Sequence, residues 1–205
     1  MLKRVTATLT AALAAAAALA LTTSTTATAT AAPTAPGFVI GKDLPPHPGS
    51  AWSTGKVTKG LPEWPVFCVA GAIPKTNSWH RTFGTDLDTG ALQISVRAAS
   101  DAAAAKLAAA LEKKVAGCAA DWLRAHPGGT ASWQDYGKIK VEEGARVYGV
   151  HTSIPESEPG VNLFGIGRDG STVTVVQWGQ MGHLSDAPVP AFKKTTTTAV
   201  NKLNP

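Results

Sequence analysis

The residues of this 205-residue chain that could do chemistry are few and scattered. Five histidines, His47, His80, His126, His151 and His183, stand apart, and none has a neighbour in a spacing that would make it a general base. No Gly-x-Ser-x-Gly elbow offers a nucleophile. Neither a His-Glu-x-x-His motif nor a paired-cysteine motif offers a metal its ligands. Asp86-Leu87-Asp88-Thr89-Gly90 begins like a calcium loop, but Ala91 stands where that loop needs glycine and Arg97 where it needs glutamate. It reads instead as an Asx-rich turn. Glu142, Glu143, Glu156 and Glu158 lie beside Gly or Pro in expected turns, a poor setting for the raised pKa that acid catalysis requires. Phe164-Gly165-Ile166-Gly167-Arg168 runs into a hairpin rather than a helix, so its glycines mark a bulge or a close backbone approach, not a phosphate loop. The expectation is no catalytic residue, no metal site and no cofactor. A Ser-His-Asp set converging from distant loops is the remaining route to a hydrolase.

Cys68 and Cys118 are the two cysteines. An even count in an exported chain favours a disulfide over two buried thiols. A bridge closing a loop of about 50 residues is worth roughly 4 kcal/mol in the chain-entropy account. Six tryptophans accompany only two tyrosines. Trp52, Trp64, Trp79, Trp122 and Trp133 are expected mostly in the core. Trp178 stands out, because alternation along Ser171 to Trp178 puts it on one face with Thr172, Thr174 and Val176, opposite Val173, Val175 and Gln177. If the valines face the core, Trp178 forms an apolar plate beside the hydroxyls of Thr172 and Thr174, the composition of a small-molecule site. These three are the candidate ligand-binding residues; the alternative reading, which weighs more, is that Trp178 simply packs under the C-terminal helix.

The elements that must position them follow from periodicity. Leu92, Ile94 and Val96 alternate with polar residues across Ala91 to Arg97, a half-buried strand, with Trp79 to Phe83 as its partner. Ser100 is a suitable N-cap for a helix from Asp101 to Arg124. Its apolar stripe runs Ala104, Leu107, Leu111, Val115, Cys118, Trp122, and His126-Pro127-Gly128-Gly129 stops it. Strands are expected at Lys138 to Val141, Ala145 to Ile154, Val161 to Arg168 and Ser171 to Trp178, the last two joined at Asp169-Gly170, a strong hairpin signal. Phe192, Thr196, Ala199 and Leu203 recur at helical spacing behind Pro188 and Pro190. The fold class is therefore α+β: an antiparallel sheet with a long central helix and a C-terminal helix packed on it, forming a cleft between them.

The two ends of the chain bound where it works. Lys3 and Arg4, an Ala/Leu-rich run from Val5 to Leu21, and Ala29-Thr30-Ala31 read as a cleavable signal peptide over residues 1–31. The product is expected to be secreted and to keep no membrane span. Residues 32–50, with Pro33, Pro36, Pro45, Pro46 and Pro48, form a Pro/Gly-rich arm in which Phe38-Val39-Ile40 and Leu44 are apolar enough to dock, and residues 51–205 form one domain. The formal net charge is +5, two of the positive charges lying in the leader, and the remaining lysines are scattered. Nucleic acid is not an expected partner.

The run Val96-Arg97-Ala98-Ala99-Ser100-Asp101-Ala102-Ala103-Ala104-Ala105-Lys106, continuing to Val115-Ala116-Gly117-Cys118-Ala119, resembles the extracellular sensor domain of PknH-type serine/threonine kinases of actinobacteria. So does the hairpin Gly167-Arg168-Asp169-Gly170-Ser171-Thr172-Val173-Thr174-Val175 followed by a helix ending near Leu203. The resemblance covers roughly Trp52 to Leu203. It implies an antiparallel sheet and two helices around a cleft that binds an unidentified extracellular small molecule or cell-envelope component, without catalysis. It departs in one respect: that sensor domain carries two disulfides, and this chain can form one. The rival expectations are a secreted hydrolase with a dispersed site and a secreted interaction or inhibitor factor presenting a loop such as Pro155 to Gly160. The leader makes a direct prediction: intact-mass measurement of the secreted protein will place its N-terminus at Ala32, and a mass that retains residues 1–31 refutes it.

Overall fold

The computed structural model describes residues 34–204. The expected leader, with the first two residues of the arm, lies outside them. After the arm come β1 (Ser53–Thr54), β2 (Thr58–Lys59), β3 (Ser78–Gly84), β4 (Gly90–Arg97), α1 (Asp101–Ala125), β5 (Thr130–Ile139), β6 (Ala145–Ser153), β7 (Gly160–Asp169), β8 (Thr172–Met181) and α2 (Val189–Asn201). The strands form one antiparallel sheet of order β1-β3-β4-β8-β7-β6-β5, with β2 also paired to β3. This is the expected α+β architecture.

Local chemistry accounts for the element ends. The Ser100 hydroxyl accepts the Ala103 amide at 3.2 Å and caps α1. Gly170, at φ +53°, makes the tight turn between β7 and β8. In the Thr-rich stretch of α2, Thr196 and Thr197 donate their hydroxyls to the carbonyls of Phe192 and Lys193 one turn back, so these polar groups are satisfied within the helix.

The sheet is apolar on both faces, and the two helices cover opposite ones. On β8, Val173 and Val175 join Phe164 and Ile166 of β7 against Ala104, Leu111 and Val115 of α1. The alternate residues Val176 and Trp178, with Val161 and Leu163 of β7, pack against Phe192 and Ala199 of α2. The expected cleft between the two helices therefore does not form, since the sheet itself separates them. The alternation on β8 is as read from the sequence; what differs is that both of its faces are core.

The arm completes the α2 side. Val39 is fully buried, Phe38 and Leu44 nearly so, while Ile40 stays exposed. Gln93 of β4, also fully buried, accepts the Val39 amide at 2.8 Å, and Arg81 of β3 donates to the Val39 carbonyl at 2.9 Å. The arm is thus a wall of the domain rather than a linker.

On the α1 side, Cys68 and Cys118 are bonded, with Cα atoms 5.2 Å apart. The bridge ties residues 66–73 onto α1, where Val66, Val69 and Ile73 enter the core. Cys68 itself sits at φ +62°, a left-handed conformation that costs a non-glycine residue roughly 1–2 kcal/mol and persists only where its surroundings hold it. Replacing either cysteine by Ala is expected to cost about 2–5 kcal/mol. Denaturant unfolding measures this, and unchanged midpoints would refute a stabilising bridge.

Candidate functional site

Trp178 is 3 % exposed and lies near the end of β8, where the α2 side of the sheet is roofed by the arm. The roof is incomplete. A cavity of about 340 Å³ remains, walled by Pro45, Pro46, Pro48 and Trp52 of the arm and its exit, by Pro188 at the start of α2, and by Trp178. Its polar lining is Thr89, Gln180, Asp186 and His47.

Each wall has a reason to hold its place. The Trp52 indole donates to the Pro45 carbonyl at 2.7 Å, which fixes the ring against the arm. Proline backbone presents no N–H, so this wall makes few hydrogen-bonding demands of its own. Thr89, nearly buried, donates to Gln180 Oε1 at 3.3 Å. That leaves the Gln180 amide NH₂ as the donor available to a ligand. The Asp186 carboxylate accepts the His183 amide at 2.8 Å and closes a short turn that carries it to the rim. His47 Nδ1 accepts the Gly49 amide at 3.2 Å, which places the ring proton on Nε2.

The three candidate residues separate. Trp178 lines the cavity. Thr174 is fully buried; its hydroxyl donates to the Ile94 carbonyl at 3.1 Å and meets Gln93 Nε2 at 3.1 Å and Ser95 Oγ at 3.2 Å. That hydroxyl serves the network that holds the arm. Thr172, opposite Arg97 at the far end of β8, is buried as well. Sequence reasoning missed Trp52, Gln180 and Asp186, which reach the cavity only through long-range pairing and carry no local motif.

The other tryptophans and histidines have their own places. Trp79 is core, while Trp64 and Trp133 are the two well-exposed indoles. Trp122 stacks on His126, and His80 Nδ1 lies 2.8 Å from the Gly60 carbonyl. His151 and His183 meet across 32 positions of sequence. Burial, and then the facing His183, hold the His151 imidazole below its usual range. Among the described residues no group of three or more His, Cys, Asp or Glu side chains comes together.

A second concavity, of about 300 Å³, lies on the α1 side among Glu112, Lys138, Glu143, Arg146 and Arg168. Both of its arginines are engaged: Arg146 pairs with Asp135 outside the concavity and leans over the Tyr148 ring, and Arg168 lies 3.8 Å from Glu143. Burial and then Glu112, which accepts the Tyr148 hydroxyl at 3.1 Å, raise the Tyr148 phenol above its ordinary range. The cavity under the arm is the better candidate because its polar groups retain free valences.

Comparison with protein-family models, with curated proteins and with solved structures finds no match to this chain.

The arm over the cavity is clamped electrostatically, which makes it sensitive to acid. Lys202, just past α2, pairs with the Asp43 carboxylate, and Thr195 donates to the Asp43 carbonyl at 2.6 Å. Burial pushes the Asp43 carboxyl up, but Lys202 and the Ile40 amide outweigh it and hold it below its ordinary value of 3.8. Folding therefore favours the ionised form. The stabilisation is complete above about pH 4 and is lost as pH falls through the lower folded value. Asp43→Asn is expected to lower Tm at pH 6, with the gap from wild type narrowing below pH 4. A gap that does not change with pH would refute the clamp.

Proposed function

We propose that this chain is a secreted, non-enzymatic ligand-binding module that holds a small extracellular molecule or cell-envelope fragment in the cavity under its proline-rich arm. One observation carries the reading: two tryptophans from distant segments, Trp52 and Trp178, line one cavity in which the Gln180 amide, the Asp186 carboxylate and the His47 ring supply directed polar groups. Apolar walls with a few convergent polar groups make up most small-molecule sites. The only hydroxyl among the lining side chains, that of Thr89, is already committed to Gln180. A nucleophile poised beside a base is not part of this arrangement, so binding is the chemistry it supports.

Secretion is the setting that the leader, the Cys68–Cys118 bond and the absence of any helix long and apolar enough to cross a membrane among the described residues support. The resemblance to PknH-type sensor domains supports the same class of function. The exposed loop Ile154 to Glu158, with Ile154 42 % exposed, favours a second reading, an interaction factor that presents this loop to a protein.

Tryptophan emission separates the two. Titrating glycans, lipids and peptides of cell-envelope type is expected to find a ligand that shifts emission in wild type. Gln180→Ala and Asp186→Asn, both at partly or fully exposed positions, are expected to weaken its binding roughly tenfold, about 1.4 kcal/mol. Affinity unchanged in both variants, but lost on replacing Ile154 to Glu158, would overturn the cavity reading in favour of the loop.

A further inference from the structure

His151 and His183 share no motif, and the fold brings their rings together so that one ring nitrogen hydrogen-bonds the other, a contact that an ion held by both nitrogens would replace. His151 projects from β6 on the α2 side of the sheet, half-buried, between the backbones of β5 and β7. His183 lies in the turn between β8 and α2. Its Nδ1 is 3.1 Å from His151 Nε2, the ring centroids are 5.0 Å apart and the planes differ by 29°.

Each ring is held by backbone anchors that do not involve the other. Ser132 and Val161 flank His151 in the ladder. The Gly182 amide donates to the Pro159 carbonyl at 2.8 Å, and the His183 amide to Asp186 Oδ2 at 2.8 Å. The pair is therefore preorganised, and the cost of bringing two ligands together has been met by folding. Two imidazole nitrogens that bind one ion at roughly 2.0–2.1 Å in tetrahedral geometry stand roughly 3.3–3.4 Å apart. The observed 3.1 Å is within a few tenths of an ångström of that separation. His183 is exposed, so water can supply the remaining ligands.

We propose that His151 and His183 form a binding site for one divalent transition-metal ion of the Zn²⁺ and Ni²⁺ type. Neutral imidazoles select such ions over Mg²⁺ and Ca²⁺, which demand oxygen ligands. The ion would join β6 to the turn that carries Asp186 into the cavity wall, and so brace that rim. The site is independent of whether the cavity binds anything.

Isothermal titration of the secreted chain, purified without an affinity tag, tests it with Ni²⁺ and Zn²⁺. One saturable site per chain is expected, absent with Mg²⁺. His151→Ala and His183→Ala are each expected to abolish it, while His126→Ala, at the exposed C-terminal end of α1, leaves it intact. Far-UV melting verifies that the variants fold, and His151→Gln and His183→Gln replace any that does not. No saturable Ni²⁺ or Zn²⁺ site, equal binding of Mg²⁺, or full affinity in a folded variant lacking either ring would overturn the proposal.

Discussion

Strands β7 and β8 are apolar on both faces, and everything else in the structure answers to that. An antiparallel sheet commonly leaves one face to water, with polar residues alternating along each strand. Here Val173, Val175, Phe164 and Ile166 need a cover on one side, and Val176, Trp178, Val161 and Leu163 need one on the other. A single helix cannot serve both. The long helix α1 spans the first face and is anchored there by the Cys68–Cys118 bond. The shorter α2 spans only part of the second, and the remainder falls to residues 34–50.

That division makes the arm indispensable and explains its polar clips. A segment with so many prolines cannot form ladder hydrogen bonds along its length, so it is held by side chains of the strands beneath it. Gln93 and Arg81 together take both the N–H and the C=O of Val39. Gln93 can be fully buried at no great cost because Ser95 and Thr174 satisfy its other end. Thr174, on the face that sequence alternation marked as polar, has its hydroxyl for this reason: through Gln93 it supports the place where the sheet receives a segment of backbone.

Much of the fold was legible because it is local. The cap at Ser100, the stripe of α1, the Asp169-Gly170 turn and the β3–β4 pair all rest on short-range patterns, and they stand within a few residues of expectation. Strand β5 was seen only at its end. It is an edge strand, largely exposed, and Gly137 at φ +90° bulges it between Asp135 and Gly137, which breaks the alternation that would have revealed Thr130 to Ile139. The opposite placement of the helices was not legible, since alternation identifies two faces without saying how many of them are buried. The candidate site was legible only at Trp178. Trp52, Asp186 and the His151–His183 pair come together through contacts between segments far apart in sequence, for which a single chain carries no local sign.

The position of the cavity follows from how α2 lies on the sheet. Toward its C-terminal end the helix faces Gly165 and Gly167 of β7, where any β-carbon would collide with Thr196 and Val200. Those glycines let helix and strand backbones approach closely, which is the use of strand glycine that the sequence suggested. Toward its N-terminal end the same helix packs through Phe192 into the cluster that holds Leu163 and Trp178. Beyond Phe192 the helix begins at Pro188, and there the cavity is bounded by Pro188, by Pro45 of the arm and by Trp52 and Trp178. The cavity therefore lies where the arm, the end of β8 and the start of α2 meet, and its walls come from segments far apart in sequence that only the packing of the arm and α2 on one face of the sheet brings together.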